Sequence, residues 1–197
     1  MTSQTIAPGA TSDRILDVAE ALAQTRGFNG FSYADIATEV GVRKASLHYH
    51  FPTKADLGVA LISRYTDRFM GALEDIESSD MAPLVELERY VEIYEAVLLR
   101  DRMCLCGMLV AEYNTLPSAM QEGIRQFFDR NEAWLVRVLD DGASDGTLAV
   151  RGTTSEVARM ITGSLEGSMM LAYSYGDTSR FTTSSRHLIA GLAAEPV

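Results

Sequence analysis

The segment from Phe31 to Leu57 constrains the fold most, because helix-start and helix-stop signals lie close together in it. Ser32 and Asp35 have the Ser-x-x-Asp spacing, in which a hydroxyl caps the first turn and a carboxylate favours its positive end. Gly41 ends this short helix where a sharp turn needs a positive φ. A third helix follows over Arg43 to Phe51. Helix, glycine turn, helix is the arrangement that places its second helix in a DNA major groove.

Apolar residues recur at helical spacing along the rest of the chain, and no strand-like alternation interrupts them. The helix before the segment is predicted over Ser12 to Arg26, and a long helix follows it from Thr53 to about Ser78. A loop is expected from Asp140 to Gly152. Further helices are expected over Leu84–Leu99, Cys104–Tyr113, Ser118 to about Asp141, Ser155 to about Tyr175 and about Thr182–Ala194.

These elements predict an all-α protein: an N-terminal three-helix helix-turn-helix domain, joined by a long helix to a C-terminal helical domain. Residues 1–11 are small and polar, with Pro8 and Gly9, and are expected to form a flexible arm. The DNA-binding domain is then predicted over 12–58 and the second domain over 59–197.

The distribution of charge decides whether this acidic chain can bind a polyanion. Its net charge is −10, but residues 1–60 carry five Lys and Arg against six Asp and Glu, whereas residues 61–197 carry twelve against twenty-one. Both lysines, Lys44 and Lys54, lie in the first part beside Arg43. A local basic face on an acidic body can still bind DNA.

Several classes of protein are disfavoured by composition. Cys104 and Cys106 are too few and too close to staple a secreted fold, and no signal peptide or spanning segment is visible, so a cytoplasmic protein without membrane partners is expected. Three histidines form no catalytic constellation, so neither an enzyme nor a cofactor is expected. His48 and His50, two residues apart, point to opposite sides of a helix, which argues against a metal site.

The stretch FSYADIATEVGVRKASLHYHFPTKADL closely resembles the DNA-binding domain of the TetR family of transcriptional regulators. The resemblance implies contacts with bases and flanking phosphates from the third helix. It departs at His48, where the family usually carries Tyr. The residues that the resemblance and their position place at DNA are Ser32, Tyr33, Arg43, Lys44, Ala45, Ser46, His48, Tyr49, His50 and Lys54.

Side-chain chemistry supports this interpretation independently. Arg43 and Lys44 can bind guanine acceptors, Ala45 permits close approach, and Tyr49 offers an apolar face to a thymine methyl. The alternative is two ordinary packed helices with Tyr49 in the core, but capping, turn and cationic residues agree over nearly thirty positions.

The segment from Met103 to Pro117 resembles a TetR subgroup that includes electrophile- and acrylate-responsive repressors. Arg100 and Arg102 could favour a reactive thiolate at Cys104 or Cys106. Buried cysteines also serve as small apolar residues, and this second interpretation is favoured.

The C-terminal helices are expected to bind a small-molecule inducer and to form a homodimer. Gly163, Ser164, Gly167 and Ser168 put small residues on adjacent turns, which permits close helix approach between or within chains. Core packing is the alternative for each pocket candidate. These candidates are Tyr65, Phe69, Tyr90, Tyr94, Cys104, Cys106, Met108, Glu112, Tyr113, Phe127, Trp134, Met169 and Tyr173.

The function predicted from these features is a repressor that binds palindromic or near-palindromic operator DNA as a homodimer and leaves it when an inducer binds. A TetR-like activator and a thiol-based electrophile or redox sensor are the alternatives within this class. A helical protein-interaction module without DNA binding is the alternative outside it.

Overall fold

The chain is described by a computed structural model that covers residues 8–194. None of the helices in this range is both long and apolar enough to cross a membrane. The helices are α1 (Pro8–Arg26), α2 (Tyr33–Val40), α3 (Lys44–His50), α4 (Lys54–Glu77), α5 (Pro83–Leu98), α6 (Leu105–Ala111), a 3-10 turn (Tyr113–Thr115), α7 (Ser118–Ser144), α8 (Thr154–Tyr175) and α9 (Ser179–Ala190).

Three helices differ from the sequence prediction by three residues or more. Helix α9 runs over Ser179–Ala190, whereas about Thr182–Ala194 was expected. Helix α1 begins at Pro8, so residues 8–11 are helical rather than part of an arm, and residues 1–7 lie outside the described range. Proline suits a first turn because its missing N–H would have no helical acceptor there. Helix α7 continues to Ser144, beyond the predicted end at about Asp141. Gly142 lies within the helix and packs closely, since a Cβ there would lie 2.4 Å from the Leu148 side chain.

The first of two contact-defined units contains residues 8–65 and 105–124 of the described chain. Within it, α1 packs against α2 and α6, and α2 packs against α3. The predicted boundary at residue 58 placed segment 105–124 in the C-terminal domain, whereas its contacts join it to the N-terminal helices. Ile15, Ile36 and Leu47 are fully buried in this unit.

The second unit contains residues 66–104 and 125–194. In it α8 packs against α9, and α5 packs against both. An aromatic cluster lies in its core: the Phe69 ring meets Tyr90, Tyr94 and Phe127 edge-on at centroid distances of 6.2, 5.7 and 5.1 Å. The Trp134 ring stacks on Tyr90 at 5.6 Å. This unit therefore has its own apolar core.

Gly41 provides the turn between α2 and α3. Its φ is 76°, in the left-handed region, and its N–H donates to the Ala37 carbonyl at 3.0 Å. A residue with a Cβ pays a steric cost in this conformation, whereas glycine does not. The predicted glycine turn is confirmed.

We expect Gly41→Ala to lower the free energy of unfolding by about 1 kcal/mol, because the added methyl meets the left-handed backbone. Gly71→Ala is the matched control, since a Cβ at either glycine meets no atom within 4 Å and Gly71 lies inside helix α4. There alanine should raise stability by roughly 0.5–1 kcal/mol. Urea unfolding followed by circular dichroism measures both changes. If both variants were stabilised, or both destabilised, the left-handed turn at Gly41 would not be the cause.

Candidate DNA-binding surface and buried polar cluster

The start of α2 forms a capping box. The Ser32 hydroxyl accepts from the Ala34 N–H at 3.2 Å, and the Asp35 carboxylate accepts from the Ser32 hydroxyl and N–H at 2.7 Å each. These hydrogen bonds hold the pKa of Asp35 below its ordinary value, and the bond from the Ser32 hydroxyl contributes most. The predicted cap is confirmed, and it uses polar groups of Ser32 for the helix start itself.

Helix α3 has one buried anchor and an exposed face. Leu47 is fully buried, while Arg43, Lys44 and Ala45 are exposed where the helix begins. Tyr49 is 81% exposed, which is unusual for an aromatic side chain with neighbouring core available. The structure thus brings the predicted base-reading residues together on the surface of α3, and Tyr49 does not belong to the core.

Ser46 and His50 are half-buried, so less of their surface is available to DNA. His48 is exposed, and its Nδ1 lies 3.1 Å from the Pro52 carbonyl oxygen. Because a carbonyl only accepts, Nδ1 carries the hydrogen in this bond. The remaining nitrogen of His48 can therefore donate to a phosphate only when the imidazole is protonated.

Tyr33 is buried beneath this face. Its hydroxyl lies 2.8 Å from the Phe51 carbonyl and 2.7 Å from the Thr53 carbonyl. Burial, and then the charge of Asp56, raise the pKa of Tyr33 to about 12. Its ring centroid is 4.8 Å from that of His48. The Tyr33 side chain thus links α2 to the end of α3, and only its backbone remains suited to an anion.

Lys54, predicted as a phosphate contact, is bound within the first unit. Its ammonium donates to the carbonyls of Phe28 and Phe31. The same group lies 4.6 Å and 4.3 Å from the centroids of these two phenyl rings. Burial lowers the pKa of Lys54, partly offset by Glu112. These contacts favour a structural role for Lys54 over a free phosphate contact.

Glu112, predicted as a polar handle of the ligand pocket, binds the loop between α1 and α2. Its carboxylate accepts from the Phe28 N–H at 2.6 Å and from the Asn29 N–H at 3.2 Å. The Asn29 side chain donates to the Thr115 hydroxyl at 2.8 Å. A Cβ at Gly27 would lie 2.8 Å from a Glu112 oxygen. Glu112 therefore holds the first unit together rather than facing a ligand.

The remaining pocket candidates fall into both units. Tyr65, Cys106, Met108 and Tyr113 belong to the first, where Tyr65 and Cys106 are buried. In the second unit Tyr173 is half-buried. The candidates that the core of the second unit brings together are Phe69, Tyr90, Tyr94, Cys104, Phe127, Trp134 and Met169.

Both cysteines are buried, and within the described residues neither forms a disulfide. The Cys104 N–H donates to the Met169 sulfur at 3.3 Å. Burial of this extent favours the packing role that the sequence left beside the sensor role, because a reactive thiol needs access to its electrophile.

Three polar residues in the second unit were not selected from the sequence. Asn131 and Thr162 are 0% and 5% exposed, and both carboxyl oxygens of Glu166 are buried. Burial raises the pKa of Glu166 to about 7, and the Cys104 thiol partly opposes this. The available signal was spacing: Thr162 and Glu166 lie four residues apart on the face of α8 that carries Leu165 and Met169.

Comparisons with known proteins give the family. Residues 15–61 match the family described as "Bacterial regulatory proteins, tetR family". A TetR-family regulator from Agrobacterium tumefaciens is 32% identical, with a TM-score of 0.92 over 95% of this chain and 100% of that one. A TetR regulator from Legionella pneumophila is also 32% identical, with a TM-score of 0.84 over 97% and 98%. The chain belongs to the TetR family of DNA-binding transcriptional regulators.

Regulators of this family are not enzymes, bind operator DNA and act as dimers. The transcriptional regulator AcuR of Cereibacter sphaeroides is 29% identical over 119 residues, which are 57% of this chain and 54% of AcuR. The chain thus matches about half the length of that relative.

We expect Glu166 to make stability depend on pH. Its folded pKa of about 7 lies above the ordinary 4.5, so the folded state favours the neutral acid. The associated stability is fully present below pH 4.5 and is lost as the pH rises through about 7. The difference in unfolding free energy between the native chain and Glu166→Gln should change by on the order of 3 kcal/mol across this range. Urea titrations from pH 4.5 to 8 measure it; parallel curves would contradict the burial of the carboxylate.

Proposed function

We propose that this protein represses transcription by binding a palindromic or near-palindromic operator as a homodimer, and that a small-molecule inducer releases it. The exposed face of α3 carries this proposal. Arg43, Lys44, Ala45 and Tyr49 project from a helix that Leu47 anchors in the core, behind a capped α2 and a glycine turn. An exposed basic and aromatic helix face of this kind has the dimensions and chemistry of a major-groove reader.

The contacts divide into two roles. Arg43 and Lys44 have free reach for guanine acceptors, and Tyr49 for a thymine methyl. Ser32, Ser46, His48 and His50 lie at the edges of this face, where phosphates would run. Tyr33 and Lys54 support the face from within, through hydrogen bonds to backbone carbonyls. Specificity is therefore assigned to the exposed residues of α3.

Helix α8 supports the proposed dimer. A Cβ at Gly163 or Gly167 would meet no atom of residues 8–194 within 4 Å, so no part of the described chain packs against these positions. On the same helix Met160, Met170 and Leu171 are exposed. Exposed apolar side chains beside open glycines suit a second copy of the helix, related by a twofold axis.

The inducer is assigned to the second unit, where buried polar atoms lie among aromatic rings. It must prefer the state that does not bind operator, since a ligand with equal affinity for both states shifts neither. A coupling of about 1–3 kcal/mol would weaken operator binding roughly 5–150-fold.

We expect Lys44→Ala to weaken operator binding, to reduce preference over random DNA and to lower the salt slope by about one if a charged contact is lost. Lys54→Ala is the control: its ammonium is bound to backbone carbonyls, so it should lower thermal stability and leave the slope of the folded protein unchanged. Fluorescence anisotropy on a fragment selected from genomic DNA measures the affinity and salt slope of both variants, and thermal unfolding followed by circular dichroism measures their stability.

Failure of the native protein to select any DNA over random sequence would favour the interaction module without DNA binding. Selective binding combined with increased transcription from the bound promoter in a purified system would indicate the activator.

We expect Gly163→Arg to convert the dimer to a monomer, because two bulky cations would meet across the proposed twofold axis. The molar mass measured by light scattering should fall from twice 21.6 kDa to 21.6 kDa. Gly71→Arg also adds a large cation at an open helical glycine and should remain dimeric. A native monomer at micromolar concentration, or a dimeric Gly163→Arg protein, would contradict the α8 interface.

A further inference from the structure

Helices α5, α7 and α8 bring buried polar groups together inside the second unit. The Tyr90 and Tyr94 hydroxyls lie 3.1 Å apart on α5. The Tyr90 ring stacks on Trp134 of α7, and its hydroxyl lies beside Thr162 and Glu166 of α8. Tyr90 therefore connects polar side chains from three helices in one region of the core.

Several polar groups in this core lack a strong hydrogen-bond partner. Among the described residues, the Trp134 Nε1 and both amide atoms of Asn131 have no hydrogen-bond partner, and no N–H group donates to either carboxyl oxygen of Glu166. The only polar contacts that the described chain gives Glu166 and Thr162 in this region are the weak ones with the Cys104 thiol and the Tyr90 hydroxyl. A buried polar group without a partner costs about 1–3 kcal/mol, so natural cores contain few of them. The Trp134 N–H and the Glu166 carboxylate, both near Tyr90, therefore point to a ligand.

Glu166 identifies the charge of that ligand. Its pKa responds to burial and to the Cys104 thiol, and no Lys, Arg or His of the described chain contributes to it. A buried carboxylate requires a cationic partner or must be protonated. Glu166 as a whole residue is only half-buried, although its carboxyl oxygens are covered, so the group lies close beneath the surface of the unit.

The aromatic surroundings add a preference for the ligand's body. Phe69, Tyr90, Tyr94 and Trp134 form a connected group of rings. Ring faces attract organic cations, and their apolar area favours hydrocarbon. An inorganic ion would gain little binding energy from the apolar area of these rings.

We propose that the second unit binds an organic ammonium ion with an apolar, ring-sized body, whose N–H groups donate to the Glu166 carboxylate among the rings of Tyr90 and Trp134. This names the class of the inducer and thus rests on the proposed function. Two carboxyl oxygens that accept from no N–H group of the described residues favour a primary or secondary ammonium over a quaternary one, because only the former can donate hydrogen bonds.

Three probes of similar size and different charge test this proposal: phenethylammonium, phenethyl alcohol and phenylacetate. Calorimetric titration of the full-length dimer should show phenethylammonium binding at least about tenfold tighter than the alcohol, since charge-assisted hydrogen bonds are the stronger ones. Phenylacetate should bind weakest, because its charge repeats that of Glu166. Equal or tighter binding of the alcohol or the acid, or no saturable binding of the cation, overturns the proposal.

Glu166→Gln keeps the shape and removes the charge. In this variant the cation and the alcohol should bind within about threefold of each other, whereas Glu88→Gln, an exposed control on α5, should keep the native preference. A preference that survives in Glu166→Gln assigns the charge recognition elsewhere and overturns the proposal. Glu166→Gln should also unfold at a higher temperature than the native chain at pH 8, because it removes a buried carboxylate that no cation of the described chain pairs. A lower unfolding temperature would show that the carboxylate already has a stabilising partner and would overturn the proposal.

Gel shifts on the same proteins separate the two proposals. Operator binding without cation preference overturns the ligand class alone, and cation preference without operator binding overturns the repressor function alone. Should Glu166→Gln fail to fold, the three-probe comparison on the native chain decides by itself.

Discussion

The first unit depends on the hydrogen bonds that the backbone of one short loop makes with two charged side chains. Between α1 and α2, the carboxylate of Glu112 accepts from the N–H groups of Phe28 and Asn29, while the Lys54 ammonium donates to the carbonyls of Phe28 and Phe31. Buried peptide groups need partners. Here two oppositely charged side chains, from distant parts of the sequence, supply them and attract each other. The start of α2, and with it the face of α3, is thereby fixed.

In the second unit, by contrast, several buried polar groups have no strong hydrogen-bond partner. Among the described residues, its core leaves Asn131 and the Trp134 N–H without hydrogen-bond partners and gives the Glu166 carboxylate only a weak contact with the Cys104 thiol, which costs stability. A protein selected for stability alone would replace such groups with apolar residues of similar shape. Their retention is explained if a bound molecule completes their hydrogen bonds and so becomes the signal that the regulator reads.

Local sequence patterns predicted the helix-turn-helix segment with good accuracy. Ser32, Asp35 and Gly41 act through neighbours three or four residues away, so a capping box and a left-handed turn could be recognised from spacing alone. Lys54 and Glu112 could not be placed in this way. Each binds backbone groups that are more than twenty residues away, and a surface lysine and a pocket glutamate were the natural predictions for them.

The sequence by itself determined the helical class, the positions of the turns, the exposed cationic start of α3 and the resemblance to TetR regulators. These properties depend on periodicity and on local capping, which act over one or two turns. Only the tertiary structure decided that segment 105–124 belongs with the N-terminal helices, that Gly163 and Gly167 face open space, and that Glu166 is buried without a cationic partner. Burial and long-range hydrogen bonding depend on which helix faces meet, and no local pattern specifies that.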